Sequence, residues 1–222
     1  MKLPLAAIAL TLTPWCSFGE TRELALEISQ LQLKNVKAES VTFKGRKAIR
    51  LTDAQIDLPD GIRLALIGKT EFQDGVIEMD VAGDTLPGVA AEFRAFTGLA
   101  FHASSDGASY EAIYLRPKNG RSEDQLQRNH SAQYVSYPEF PWQLLRKDAP
   151  GKYESYVDLV PGEWTKMRIA VRGDKARLYV HGSEQPALVV NDLKHGQTKG
   201  RIALWIGPGT VAHFSNLKLT TE

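Results

Sequence analysis

The sequence predicts an all-β fold, either a two-sheet sandwich or a closed barrel. Apolar and polar residues alternate with a period of two along most of the chain, which is typical of half-buried strands. Turn signals such as Asp106-Gly107, Asn119-Gly120 and Gly207-Pro208-Gly209 separate many of these segments. Helical periodicity is confined to two short stretches, 23–30 and 122–128. About a dozen short strands in one chain favour a sandwich or a barrel.

The first residues are typical of a secretory signal peptide. Lys2 is followed by an apolar run over residues 5–10, and small residues precede a predicted cleavage after Gly19. A membrane-spanning helix needs about 20 apolar residues, whereas this run is shorter and is interrupted by Pro14. We therefore expect a secreted or periplasmic protein, with a signal peptide at 1–19 and one domain at 20–222.

Composition excludes several classes of partner and chemistry. Cys16, the one cysteine, lies in the expected signal peptide, so the mature chain would have no disulfide, no cysteine nucleophile and no thiolate metal site. The 27 Lys and Arg residues balance 26 Asp and Glu residues, and no long basic run occurs. Nucleic acid and anionic membranes are therefore not expected partners. No later segment is apolar enough to span a bilayer, and the oligomeric state stays open.

The alternating segments predict the strands in chain order. Two of them flank Lys44-Gly45, a dipeptide that indicates a hairpin. The expected strands cover 40–43, 48–51, 62–66, 76–81, 98–103, 110–116, 153–159, 167–171, 177–180, 202–206 and 211–219.

The strand at 110–116 is the most informative of these. Successive side chains of a strand point to opposite faces. The two faces are Tyr110, Ala112, Tyr114 and Arg116 on one side and Glu111, Ile113 and Leu115 on the other. The second set is the expected core face. The first set offers two aromatic rings and a guanidinium, which suit a flat polar ligand, although aromatic rings in β-proteins also serve packing.

Other strands also carry polar or aromatic residues on the side opposite their apolar set. Glu78 and Asp80, then His102, then Trp205 occupy such positions. A face of this kind lines either a ligand groove or an ordinary solvated surface.

The segment 117–152 does not alternate cleanly and is rich in hydrogen-bonding and aromatic side chains. Long connections in compact domains are commonly functional or disordered, and the aromatic content argues against disorder. Its candidate ligand-binding residues are Gln127, Asn129, Tyr134 and Trp142. Trp142 follows Phe140-Pro141 and could instead close one end of a sandwich.

Segments 72–81, 98–101, 110–117, 161–165 and 214–217 carry a resemblance to a known superfamily. In their order and spacing they resemble the concanavalin A-like lectin/glucanase superfamily, and more narrowly the laminin-G-like proteins and the 3-keto-disaccharide hydrolase-like domains of secreted bacterial proteins. The resemblance covers nearly all of the expected mature chain. It implies a two-sheet antiparallel jelly-roll β-sandwich whose concave face binds carbohydrate in many relatives. It does not imply a single activity.

Glu78-Met79-Asp80 looks like the start of the E-x-D-x-x-E strand of laminarinase-type glucanases. Two glutamates of that motif act as nucleophile and acid/base, and retaining chemistry needs them about 5 Å apart. Here Gly83 occupies the third position and Ala82 the shorter spacing, so the second carboxylate is missing. This argues against retaining hydrolysis. Glu78 and Asp80 then form a solvated or ion-paired face, or contact calcium or a sugar.

The five histidines show no metal-ligand spacing such as H-x-x-x-H, so we predict no metal site of that kind. His102 is the exception with a candidate role, because Gly98 and Ala100 leave space beside it on the same face. As a catalytic base it would need a carboxylate partner, for which Glu78 or Asp80 is the candidate. The alternative is a partly exposed histidine on an ordinary sheet.

Three functional hypotheses follow. The first is a carbohydrate-binding protein with a groove on the concave sheet. Its ligand-binding candidates are Tyr110, Tyr114, Arg116, Gln127, Asn129, Tyr134, Trp142 and Trp205. The second is a glycoside-processing enzyme, a keto-sugar hydrolase or lyase, that uses His102 with Glu78 or Asp80. The third is a protein-interaction module like many laminin-G domains. No cofactor is predicted, and calcium stays open as an alternative.

Overall fold

The computed structural model describes residues 19–54 and 62–221, which form an antiparallel two-sheet β-sandwich. The predicted fold class is therefore confirmed. The expected signal peptide, apart from Gly19, lies outside the described residues. In chain order the strands are β1 (Thr21–Glu23), β2 (Leu31–Lys34), β3 (Val36–Phe43), β4 (Arg46–Asp53), β5 (Leu64–Ile67), β6 (Gly75–Thr85), β7 (Thr97–Ala103), β8 (Tyr110–Leu115), β9 (Ala132–Tyr137), β10 (Glu154–Ser155), β11 (Thr165–Arg172), β12 (Lys175–Val180), β13 (Leu188–Val190), β14 (Arg201–Ile206) and β15 (Thr210–Thr221).

The strands divide between two sheets. The first sheet has the order β13-β12-β11-β6-β15-β4-β3, and β1 pairs with the end of β15. The second sheet has the order β10-β9-β8-β7-β14-β5-β2. Neighbours in space are often distant in the sequence, as β14 between β7 and β5 shows.

Two α-helices lie in the segment that does not alternate. They are α1 (Gln125–Asn129) and α2 (Trp142–Asp148). Asp124 caps α1, because its carboxylate accepts hydrogen bonds from the backbone N–H groups of Leu126 and Gln127. The expected helical stretch at 122–128 is thus confirmed in its second half.

Two local expectations are wrong. The stretch 23–30 is not a helix, since β1 pairs with β15 and only a 3₁₀ turn, Ile28–Gln30, follows. The expected strand at 153–159 is reduced to β10, whose two residues pair with Gln133 and Ala132. Ala132 is the first residue of β9, so the described part of β9 offers no partner to the residues after Ser155.

The predicted hairpin and core face are confirmed. Phe43 and Arg46 pair across the Lys44-Gly45 turn, where both turn residues have positive φ. Ile77, Met79 and Val81 of β6 are fully buried. Each such side chain contributes about 1.5–3 kcal/mol to folding through removal of apolar surface from water.

The second sheet is buried on both faces around β8. Leu99, Ile113 and Leu204 are register neighbours and form part of the inner, apolar face. Gly98, Tyr114 and Trp205 are the corresponding neighbours on the outer face. Segment 117–152 packs against the outer face, where the Trp142 ring lies 6.0 Å from the Arg116 guanidinium.

Candidate functional site

A tryptophan–tyrosine stack lies on the outer face of the second sheet. Trp205 of β14 and Tyr114 of β8 flank Gly98 of β7 in register. Their rings stack with centroids 4.4 Å apart at an interplanar angle of 22°. A Cβ at Gly98 would come within 2.6 Å of the Tyr114 Cα and Cβ atoms, so a larger residue there would displace Tyr114. Glycine at this position therefore allows the two rings to meet.

Tyr110 holds the other edge of the same indole. Trp205 Nε1 lies 3.2 Å from Tyr110 Oη and donates a hydrogen bond to it. Tyr110 in turn stacks on Tyr137, its partner on β9, at 5.2 Å and 12°. Burial raises the pKa values of Tyr110 and Tyr114, so both phenols keep their protons at neutral pH. Trp205, half-buried itself, is thus fixed by buried neighbours.

Arg116 continues this face beyond the end of β8. Its Nη2 donates to Tyr114 Oη and to Gln133 Oε1, both at 3.1 Å. Its Nη1 donates to the carbonyl of His130 at 2.9 Å and lies 3.4 Å from Glu154 Oε1. These partners satisfy a buried guanidinium and fix its plane.

Aromatic rings surround the Arg116 guanidinium. Its Cζ lies 5.9 Å from the Phe96 ring, 5.1 Å from the Tyr114 ring and 6.0 Å from the Trp142 ring. Arg146 of α2 also packs over the Trp142 ring, with its Cζ 4.5 Å from the ring centroid. Trp142 is 37% exposed, so its ring is open to solvent while two cations hold it in place.

Glu154 connects the two arginines. Its side chain is 2% exposed and accepts hydrogen bonds from Arg146 Nε, at 3.0 Å, and from Arg146 Nη2. His130 Nε2 lies 3.5 Å from the same carboxylate. Burial and the two arginines lower the pKa of His130, whereas Glu154 raises it. The net effect is a lowered pKa, so the imidazole is neutral at neutral pH. Glu154 is thus engaged by two guanidinium groups.

We call this set the aromatic–arginine face. It consists of Phe96, Tyr110, Tyr114, Arg116, Tyr137, Trp142, Arg146 and Trp205. Trp142 is its exposed ring, Trp205 is partly exposed and Arg146 is its partly exposed guanidinium, whereas Tyr110, Tyr114 and Arg116 are buried beneath them. Aromatic rings suit stacking, and guanidinium groups bond paired oxygens.

The structure brings five of the sequence-predicted ligand residues together. They are Tyr110, Tyr114, Arg116, Trp142 and Trp205. Three others lie elsewhere. Tyr134 pairs with Ile113 on the inner face, where its hydroxyl donates to Glu111 at 2.6 Å.

Gln127 and Asn129 lie on α1, and their side chains bond within their own segment. Gln127 Oε1 accepts from Ser122, and Asn129 Oδ1 accepts from Gln125. Neither has a described contact with the rings of the aromatic–arginine face. Tyr134, Gln127 and Asn129 therefore do not belong to this face.

The pairing of His102 with Glu78 or Asp80 is contradicted by the sheet topology. His102 lies in β7 of the second sheet, whereas Glu78 and Asp80 lie in β6 of the first. Asp80 instead bonds Arg46 at 2.7 Å and Asn216 at 2.6 Å. Alternation reveals the face of a strand on which a residue lies, but not the sheet to which that strand belongs.

The first-sheet carboxylates and His102 thus have structural partners. Glu78 lies 3.9 Å from Lys166, its ion-pair partner on β11. His102 is buried, with Nε2 2.8 Å from the Gln73 carbonyl, and burial lowers its pKa. The ion-paired interpretation of Glu78 and Asp80 fits these contacts.

Several residues of the face, and its buried partner Glu154, were not predicted as site residues from the sequence. Arg146 and Glu154 lie eight positions apart on either side of a turn, and no local pattern joins them to Arg116. Tyr137 could have been found, because the alternation Gln133, Val135, Tyr137 places it on the same side of β9 as Gln133.

The described ranges show neither a metal cluster nor a membrane-spanning helix. Residues 19–54 and 62–221 contain no cluster of three or more His, Cys, Asp or Glu side chains that could hold a metal ion. Calcium stays the open alternative that it was in the sequence analysis. Within the same ranges, no helix has the length and apolar character needed to cross a membrane.

Comparison with known proteins supports the fold. No family model matches this chain, and no curated protein sequence matches it. A carbohydrate-binding module, CBM66 from Bacillus subtilis, has a TM-score of 0.53 and 13% identity over 84% of this chain and 96% of that one. A Bacillus subtilis protein of unknown function with a galectin-like fold has a TM-score of 0.56 and 12% identity over 87% and 90%. At such identities the similarity concerns the sandwich fold alone.

Proposed function

We propose that this protein is a secreted or periplasmic carbohydrate-binding protein whose ligand lies on the aromatic–arginine face. The observation that carries the proposal is the partly exposed Trp205 indole, which stacks on Tyr114 and is hydrogen-bonded to Tyr110, while Tyr114 in turn bonds Arg116. Similarity of fold to a carbohydrate-binding module adds support.

Sugar rings match this arrangement in two ways. One side of a pyranose or furanose ring presents C–H groups, which pack on an aromatic ring, while its hydroxyl edge bonds polar side chains. Trp205 and Trp142 supply exposed ring surface, and Arg146 supplies N–H donors. Because Trp205 is already held by Tyr110 and Tyr114, little side-chain entropy is lost when a ligand binds.

The contacts favour binding over catalysis. A glycoside-processing enzyme needs at least two titratable groups that converge on one pocket and can exchange protons with the substrate. His130 and Glu154 are a titratable pair next to the face, but Glu154 accepts hydrogen bonds from two arginines and His130 Nε2 already faces it. We therefore assign these groups to positioning rather than proton transfer.

Calorimetric titration with a panel of plant and microbial polysaccharides and their oligosaccharides tests the proposal. We expect Trp205→Ala and Trp142→Ala each to weaken binding by about tenfold or more, because each removes an aromatic stacking surface. Phe43→Ala is the matched control, since Phe43 is a half-buried ring on the first sheet that stacks on His213. Thermal unfolding of every variant separates lost binding from lost folding.

The proposal fails on either of two results. One is the absence of saccharide binding across the panel. The other is binding by both folded tryptophan variants with the affinity of the unmodified protein.

A further inference from the structure

The aromatic–arginine face contains more positive than negative charge. Arg116 and Arg146 both approach the same oxygen, Glu154 Oε1, so two guanidinium cations share one carboxylate. The resulting cluster has two positive charges and one negative charge. His130 does not change this sum, because its imidazole is neutral at neutral pH.

No other described carboxylate balances the cluster by direct contact. Asp124 is a further acid that acts on His130, and its Oδ1 accepts hydrogen bonds from the first backbone N–H groups of α1. Asp148, at the end of α2, is exposed and has no described contact with either arginine. One of the two guanidinium charges therefore has no described carboxylate to balance it, and an anion from outside the described chain could do so.

Arg146 is the arginine positioned to meet such a partner. Its Nε and Nη2 atoms bond Glu154, whereas no described residue accepts a hydrogen bond from Nη1. Its side chain is 32% exposed and packs over the exposed Trp142 ring. A ligand stacked on Trp142 would thus have a guanidinium N–H at its edge. Planar guanidinium groups bind carboxylate and sulfate oxygens with charge-assisted hydrogen bonds.

We infer that the ligand is an anionic saccharide, whose carboxylate or sulfate group pairs with Arg146 while its ring stacks on Trp142. This inference rests on the proposed carbohydrate-binding function and narrows it to acidic sugars. One anionic group paired with Arg146 would balance the charge of the cluster, in which two guanidinium groups share Glu154.

The test compares saccharides that differ only in charge. Oligomers of galacturonate, glucuronate and mannuronate are titrated beside their methyl esters, which keep the ring and remove the charge, and beside sulfated and unsulfated galactose oligomers. We expect at least one acid or sulfate to bind about tenfold more tightly than its neutral match, because hydrogen bonds to charged groups differ from neutral ones by that order. The preference should shrink in 0.5 M salt, where the Debye length falls to about 4 Å.

Two variants link the preference to Arg146. Arg146→Gln should bind the acid and its ester with equal affinity, and the acid-to-ester ratio is the readout whatever the absolute affinity becomes. Lys147→Gln is the matched control, because it removes one positive charge from the same helix at an exposed position outside the face. It should keep the full preference for the acid.

The outcomes separate the two proposals. Equal binding of acid and ester, or a preference that survives in Arg146→Gln, overturns the anionic inference and leaves carbohydrate binding intact. Failure of every saccharide to bind overturns the carbohydrate-binding proposal itself. A preference for sulfate over carboxylate supports the inference and identifies the anion.

Discussion

Glu154→Gln removes the one negative charge that holds Arg116 and Arg146 together. The substitution keeps the size and planarity of the side chain, so its effect reports charge rather than a cavity. Glu154 is 2% exposed, and the Arg116 side chain beside it is 5% exposed. Loss of the carboxylate therefore leaves a buried guanidinium without its counter-charge.

The contacts of each arginine set the expected magnitude. Removing one partner of a buried ion pair costs about 3–5 kcal/mol. Arg116 keeps three other acceptors, Tyr114 Oη, Gln133 Oε1 and the His130 carbonyl, and Arg146 is partly exposed. We therefore expect the lower end, about 3 kcal/mol, which corresponds to a fall of about 6–12 °C in Tm for a chain of this size.

Urea denaturation followed by circular dichroism, with calorimetric Tm values, measures this effect. Asp158→Asn is the matched control, because Asp158 forms a similar two-point contact with Arg121 at the protein surface, where solvent screens the pair. Its Tm should change far less. A loss below about 1 kcal/mol in Glu154→Gln would refute the view that this carboxylate neutralises a buried arginine.

The remaining predictions concern other buried polar groups. Tyr134→Phe leaves the buried Glu111 carboxylate without its 2.6 Å donor, so urea denaturation should show a loss of about 1–3 kcal/mol, and an unchanged midpoint would contradict this. Burial lowers the pKa of His102, so the stability that the neutral imidazole contributes is complete above about pH 6.5 and is lost as the pH falls. In His102→Gln the free energy of unfolding should therefore depend less on pH between about pH 7 and 5. An unaltered slope would count against this prediction. Burial opposes ionisation of Asp192, but hydrogen bonds from Tyr153 and two lysines outweigh it and lower its pKa to about 2. The ionised Asp192 contributes about 1 kcal/mol to the free energy of unfolding, after allowance for a side chain that is 37% exposed. This stabilisation is present above about pH 4 and is lost towards about pH 2. Denaturation curves of Asp192→Asn should lack that dependence on acid.

The face of each residue on its own strand was largely predictable. Tyr110, Tyr114 and Arg116 were expected on one side of β8, and the structure places them there with Trp205. The same alternation placed Ile77 and Met79 in the core, where both are fully buried. These predictions succeed because side-chain direction in a strand depends only on the chain itself.

Predictions that needed the position of a neighbouring strand were less successful. His102 was paired with Glu78 or Asp80, although β7 and β6 belong to different sheets. Tyr134 was assigned to the groove, but its register opposite Ile113 turns it inward. Both errors arise because pairing depends on hydrogen bonds between segments that are far apart in the sequence.

The many short strands of this chain, and the common direction of side chains within each strand, follow from local sequence. Alternation and turn residues act over only a few positions of the chain. Tertiary packing places segment 117–152 over β8 and joins Glu154 to Arg116 and Arg146 beside Trp142. Those contacts depend on long-range packing, since the charge and burial of a side chain are set by whichever distant residues surround it.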